Sequence, residues 1–325
     1  MNLIKITLLV VFFASLTVLD AHEVKSDISK KKIAYIVSDI RIPFWKIMSR
    51  GIKNSADELG YEVSFYGSNN IKKSEIQNTV KVIKDKVDAI ILSPINSSSA
   101  VTVLKFAESA NIPVVISDIG TDKGKYLSFI SSDNEDGAYR IGQVLAKKMK
   151  ELGWDKNGSV GIISIPQKRA NGKARTAGFM KAMNESSIKV NGLKQQVNFS
   201  YKETYDFSIE LIQEHKNLSA IWLQGSDRYK AALDAIKDAG KVDEVLLVVF
   251  DAEPEFLELI PKGVIIGAAM QQPYVFGEEA VLILDDFFNK KDVKKHIQLS
   301  ILSISTDNIE KNIPIIKRNV LGILE

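Results

Sequence analysis

Six places in this chain set a hydroxyl, an acid or an amide at or just after the end of an apolar, β-branched run. Ser38-Asp39 follow residues 33–37, Ser93 follows 89–92, and Asp118 follows 114–117. Ser226-Asp227 follow 220–224, Asp251 follows 245–250, and Gln271 follows 265–270. Arg41 and the adjacent aromatics Phe44 and Trp45 lie just beyond the first of these. In open α/β sheets the carboxyl ends of buried strands are where ligands sit. Two carboxylates in one cleft do one of two things: they act as an acid–base pair on a substrate, or they hold a ligand by charge-assisted hydrogen bonds. A second origin stands beside both, because Asp and Ser favour turns and helix caps. It applies best to Ser226-Asp227, just before a helical pattern. It applies less well to Asp118 and Asp251, which follow wholly apolar strands with no evident helix to cap.

Other chemistries leave no trace. No G-x-S-x-G, no P-loop lysine motif and no G-x-G-x-x-G follows a strand. His22, His215 and His296 are scattered through polar stretches. The chain has no cysteine, which excludes disulfides, thiolate metal sites and a lipid anchor on cysteine. No cofactor and no metal are expected.

The elements that must position these residues alternate. Strand 33–37 meets helix 43–59, with Pro43 suited to a first helical turn. Gly51 permits close packing on that helix. Strand 62–66, helix 74–86, strand 89–92, helix 98–110, strand 114–117 and a short strand 127–130 continue the series. The alternation starts afresh with helix 137–152, then strand 160–165, helix 174–184, strand 194–198 and helix 205–214. Strand 220–224, helix 227–239 and strand 245–250 come next. Such a pattern means right-handed crossovers and parallel sheets, here two doubly wound α/β domains of similar size. Strand 265–270, helix 275–288, strand 297–304 and a tail at 306–313 do not fit a simple tandem, so the chain is expected to cross between domains more than once.

The 325 residues, 45% hydrophobic and 26% charged with a formal net charge of +3, describe an ordinary globular protein. Interspersed charge of that size gives no argument for nucleic acid or an anionic membrane surface. The first residues differ. A short basic start precedes an apolar run at 6–19, too short to span a bilayer. This reads as a signal peptide, residues 1–21, cleaved near Ala21; an uncleaved anchor is the other reading. An exported chain without a cysteine anchor fits the periplasm.

Several of these residues together resemble the type I periplasmic sugar-binding proteins, the family of the ribose-, galactose- and arabinose-binding proteins. The resemblance rests on Pro43-Phe44-Trp45, Leu92-Ser93-Pro94, Ile112-Pro113-Val114-Val115 running to Asp118, and Ser132-Asp133-Asn134. It rests also on Arg175 through Gly178-Phe179, Val249-Phe250-Asp251 and Gln271-Gln272-Pro273. It implies two Rossmann-like lobes joined by three crossings, near 131–134, 268–272 and 302–306, closing on a sugar. The first lobe would be 31–131 with 271–303, and the second 132–270 with 304–325. By resemblance Phe44 and Trp45 cover sugar faces, Asp118, Arg175 and Asp251 grip hydroxyls, and Gln271 is a hinge amide. Ser132 and Phe250 enter through the same motifs. Ile42, Ser93 and Ile119 stand where ribose binders have Asn, Asn and Arg, and Gly225-Ser226-Asp227 replaces an Asn-Asp pair, so ribose itself is not implied. The chemistry agrees: a carboxylate accepts from two hydroxyls, and an Arg fork donates to two oxygens.

The function implied is a monomeric solute receptor delivering a sugar or related small molecule to a membrane ABC permease. A receptor presenting its ligand to a sensor protein is the alternative, and an enzyme is the reading of a different class. One feature points to an anionic ligand: Lys168, Arg169, Lys173 and Arg175 crowd the start of a helix, where cations are unfavourable unless an anion sits there. The plainer reading turns Lys168, Arg169 and Lys173 into water.

Overall fold

The computed structural model describes residues 30–324, so the expected signal peptide lies outside the described residues. In the first run, β1 (Lys32–Val37), α1 (Pro43–Glu58), β2 (Glu62–Gly67), α2 (Lys72–Lys84), β3 (Ala89–Ser93), α3 (Ser97–Ser109), β4 (Val114–Ser117) and β5 (Ser128–Ser132) succeed one another. The second run comprises α4 (Asn134–Glu151), β6 (Ser159–Ser164), α5 (Ala170–Glu185), β7 (Lys189–Gln195), α6 (Tyr201–Glu214), β8 (Leu218–Leu223), α7 (Tyr229–Asp238), β9 (Leu246–Phe250), a short α8 (Phe256–Leu259) and β10 (Gly267–Met270). The chain ends with α9 (Pro273–Phe288), β11 (His296–Leu299), β12 (Leu302–Ser305) and α10 (Ile309–Ile315), which runs into a wider π-type turn at Ile316–Val320.

Two six-stranded sheets result, in the orders β11-β5-β4-β3-β1-β2 and β12-β10-β9-β8-β6-β7. Apart from the antiparallel β12, every pairing is parallel. The two orders are the same pattern twice. β4 and β9 therefore hold corresponding places, and so do the residues just past them. Central strands β1, β3, β4 and β6 are buried almost throughout, which is why they read as unbroken apolar runs.

Glycine lets the helices over these sheets meet closely. A Cβ on Gly51 of α1 would lie 2.2 Å from the Tyr274 carbonyl oxygen of α9, and one on Gly178 of α5 would lie 1.9 Å from that of Glu135 on α4. α9 thus belongs with the first sheet although it follows β10 of the second.

The chain passes between lobes after β5, after β10 and after β11. The first two join β5 to α4 and β10 to α9, and the resemblance implies the third near 302–306. It lies earlier. The run 297–304 is not one strand: β11 pairs with β5 in the first sheet, whereas β12 pairs with β10 in the second, so the crossing is Ser300-Ile301 and the second lobe takes the chain from 302. Period-two alternation carries no mark of which sheet a strand joins, so the change is invisible in the pattern. The final residues serve both lobes. Ile309, Ile316, Val320 and Leu321 enter the second lobe's core, while Leu321 and Asn319 bond to Arg50 and Gln272.

Two helices start a full four residues earlier than the periodicity predicts. α5 begins at Ala170 rather than 174, behind Arg169, which makes no side-chain cap. α6 begins at Tyr201 rather than 205, capped by Ser200. β7 ends at Gln195, so the expected strand 194–198 is displaced toward the amino end.

Candidate functional site

A cavity with about 490 Å³ free of protein atoms lies between the lobes, open at one edge to solvent. The first lobe contributes Ile42, Phe44 and Trp45 from the start of α1, and Asp118 from the end of β4. The second contributes Arg169, Asn171 and Arg175 from the start of α5, with Gln224, Ser226, Asp227, Asp251 and Glu253 from the ends of β8 and β9. Ile165, Phe199 and Gly225 complete that side, and Gln271 closes the hinge end.

Asp118 and Asp251 are matched across the cleft. Each follows a buried strand with φ in the left-handed region, 71° and 67°. Each keeps its backbone N–H on a neighbouring strand, Asp118 on the Ile130 carbonyl at 3.0 Å and Asp251 on that of Ala269 at 2.8 Å. The peptide thus stays tied to the sheet while the carboxylate turns into the cleft. Trp45 Nε1 donates to Asp118 at 3.3 Å, and Gln271 Nε2 donates to Asp251 at 2.7 Å.

Arg175 is held on three sides. Its Nε donates to Asn134 at 2.8 Å, its Nη1 to the Gln224 carbonyl at 2.7 Å, and its guanidinium lies 3.8 Å from the centre of the Phe250 ring. Its Nη1 is 3.6 Å from Asp251. Arg169 reaches the other lobe, donating from Nε to the Ile95 carbonyl at 3.0 Å and from Nη2 to Asn70 at 3.3 Å. Trp45 and Phe199 flank its guanidinium at 5.6 and 5.3 Å. Asn171 Nδ2 donates to Asp118 at 3.4 Å, and Ala170 N–H to Ser97 Oγ at 3.4 Å. These contacts join the lobes across the cleft, so the structure is a closed form.

Burial dominates the electrostatics. It pushes Asp118 up to about 6 against the pull of Arg175 and Arg169, with Asp251 adding to the rise. It raises Asp251 despite Arg175, and Asp227 despite Arg228. Glu253 is pushed up to about 7 by burial and by the nearby Asp227, Glu255 and Asp251, opposed only by Ser226. Burial also lowers Arg175, and lowers Arg169 to about 10. The sequence offers no basis for a raised pKa on either matched carboxylate; withdrawal from water between the closed lobes supplies it.

The structure brings Phe44, Trp45, Asp118, Arg175, Ser226, Asp227, Asp251 and Gln271 to this cavity. Neither Ser226 nor Asp227 caps α7 by its side chain; Ser226 Oγ instead donates to Glu253 at 2.9 Å. Six expected site residues do not line it. Ser38 is wholly buried at the end of β1, its N–H on the Ser93 carbonyl. Ser93 points into the core, sharing a 3.0 Å hydrogen bond with the Tyr35 hydroxyl. Asp39 is taken by Arg41, whose Nε and Nη2 donate at 2.8 and 2.7 Å, and by Asn70 at 3.2 Å. Burial works upward on Asp39, but the bonds and charge of Arg41 outweigh it and hold the carboxyl below its usual range. Arg41 itself projects into water. Ser132 lines an adjoining groove that shares Asp118 and Asn171 with the cavity. Phe250 is the floor beneath Arg175, not a wall.

The basic run divides. Lys168 and Lys173 are exposed, whereas Arg169 is buried and built into the lobe contact, not turned into water. With four carboxylates around two guanidiniums, the cavity does not suit the anionic ligand that the run suggests. Sequence reasoning passes over Asn171, Gln224 and Glu253. Gln224 is the last residue of an expected strand and Glu253 lies two residues past Asp251, so strand ends carry a signal for both. Phe199, in a loop, has none. Among the described residues, no cluster of His, Cys, Asp or Glu could hold a metal ion.

Two doubly wound lobes, joined by three crossings and closed over a polar and aromatic cavity, define a hinged α/β binding protein. Residues 33–292 match the family described as Periplasmic binding protein domain, and the chain belongs to that family. It is similar to the ribose import binding protein of Escherichia coli K12, 28% identical over 295 residues that cover 90% of this chain and 96% of that protein. It is also 28% identical over 269 residues to the D-ribose/D-allose-binding protein of Pseudomonas aeruginosa, covering 78% of this chain and 82% of that one. The carbohydrate transporter solute binding protein of Agrobacterium radiobacter, solved in complex with D-arabinose, superposes with a TM-score of 0.82. It is 20% identical and covers 90% of this chain and 99% of its own.

Proposed function

We propose that this protein is a periplasmic receptor that closes on a sugar or sugar-like small molecule and delivers it to an ABC transporter in the membrane, without chemical turnover. The observation that carries the reading is the matched pair Asp118 and Asp251, one carboxylate from each lobe, facing one cavity that exists only when the lobes are together. A ligand touching both is bound better by the closed form than by the open one, which is what drives closure. Phe44, Trp45 and Phe199 supply apolar faces for C–H surfaces, and Arg175 supplies donors. Export by a leader cleaved near Ala21 and action as a monomer belong to the same reading.

The test is a screen of the mature chain against pentoses, hexoses, polyols and their derivatives by melting temperature and Trp45 fluorescence. A ligand at about 100 times its Kd adds about 2.7 kcal/mol of stability. Trp45 is 3% exposed in the closed form, so closure should change its emission. A set in which nothing moves either signal would remove the sugar-receptor reading.

A further inference from the structure

Hydrogen-bonding capacity in the cavity is lopsided. Gln224 Oε1 and Gln271 Oε1 are buried without a hydrogen-bond partner, and both residues line the cavity. Gln224 and Gln271 are 0% and 1% exposed, so water does not satisfy them from the surface. Their amides are fixed in this sense. Gln271 Nε2 donates to Asp251, which offers only acceptors when ionised. Gln224 Nε2 donates to Thr176 Oγ1 at 2.8 Å, and the Thr176 proton is directed to Gln167 or to the Gly172 carbonyl. Every unfilled position named here is therefore an acceptor awaiting a donor.

Charge is lopsided in the same direction. Asp118 faces Arg175 and Arg169, Asp251 faces Arg175, and Asp227 has Arg228 at 3.1 Å. Glu253 has none of these. It takes one hydrogen bond, from Ser226, and the acids Asp227, Asp251 and Glu255 lie near it. Among the described residues no cation lies within ion-pair distance of it. A half-buried carboxylate among acids is unfavourable unless a positive group arrives with the ligand or a proton neutralises it. An ammonium group has three donors and no acceptor, which suits a wall made of acceptors.

Resting on the receptor reading above, we propose that the ligand is an aminated sugar, its ammonium received by Glu253 and its hydroxyls by the amide oxygens of Gln224 and Gln271.

Calorimetric titration of the mature chain with matched pairs tests this. The pairs are D-glucosamine with D-glucose, D-galactosamine with D-galactose, and D-mannosamine with D-mannose. At least one amine should bind about tenfold or more tightly than its parent, the difference between a charged and a neutral hydrogen bond. Glu253→Gln, shaped alike but uncharged, should remove the preference, so that the amine binds no more than about threefold more tightly than its parent in that variant. If that variant does not fold, the wild-type pairs alone decide. If no amine binds more tightly than its parent, the inference is overturned and the sugar receptor stands. A preference that survives in Glu253→Gln overturns the assignment to Glu253. Binding of no member of any pair overturns the inference, whereas the receptor reading falls only if the wider screen also fails.

Discussion

Asp118 and Asp251 hold a backbone conformation that costs most L-residues about 1–2 kcal/mol but that Asp and Asn tolerate. Asn at either position therefore keeps the turn and removes only the charge. Asp118→Asn and Asp251→Asn should fold as the wild type does and bind a ligand found by the screen at least about tenfold more weakly, since neutral hydrogen bonds replace charge-assisted ones. Calorimetry on each variant gives the answer, and full affinity in either removes that carboxylate from the site. The same burial sets a pH dependence. With Asp118 at about 6 and Glu253 at about 7, the folded chain holds protons that the unfolded chain has released. The stability this confers is complete below the ordinary carboxylate range, about pH 4, and is lost as pH rises toward 6 and 7. Asp39, which is lowered, acts in the opposite sense, below the ordinary carboxylate range. The urea midpoint of the ligand-free protein should fall between about pH 4.5 and 7.5, by up to a few kcal/mol in stability. The double variant Asp118→Asn, Glu253→Gln should flatten that decline, and an unchanged slope would show that other groups cause it.

At the scale of elements, the site depends on two helix starts and on the packing behind them. α1 brings Phe44 and Trp45 to the cleft because Pro43 begins it and because its other face is pressed on α9 through Gly51 and Gly277. The Cβ of Ala at 51 would meet a carbonyl oxygen of the facing helix, which no rotamer change relieves. Gly51→Ala should thus cost about 1–3 kcal/mol and, by pushing α1 away from α9, weaken binding as well. Thermal melts alongside titrations would show both effects. A variant as stable as the wild type would mean that the helices separate more easily than their packing implies.

At the scale of the molecule, the closed form is held by contacts that are independent of any ligand. Arg169 makes two of them, buried and bonded to Ile95 and Asn70 on the opposite lobe. Its guanidinium has left water for a carbonyl, an amide and two ring faces, and burial lowers its pKa accordingly. Arg169→Ala should shift the ligand-free chain toward the open form, seen as a larger radius of gyration in small-angle scattering. Saturating ligand should restore the compact value, with an apparent affinity reduced by the loss of closed population. An unchanged ligand-free radius would show that Arg169 does not hold the lobes.

Period and strand chemistry are enough to read two parallel α/β lobes, their order, and the acids at the ends of β4 and β9. A strand buried on both faces must be an apolar run, and the residues just past its carboxyl end lie beside the crevice. The pair Ser38-Asp39 has the same pattern as Asp118 and Asp251 but serves otherwise, because a hydroxyl or acid at a strand end is free to turn into the core or to pair with its neighbour Arg41. Ser93 turns inward to Tyr35 for the same reason. Arg169 and Asn171 are hidden because α5 starts behind a residue with no capping side chain, leaving no local signal for its first turn. Phe199 and Glu253 have their roles only through contacts with residues far away in sequence. The switch of sheets between β11 and β12, the lobe-to-lobe bonds of Arg169 and the surplus of acceptors around Glu253 are decided by the tertiary structure alone. Each depends on which surfaces meet when the lobes close, and spacing along a single chain does not encode that.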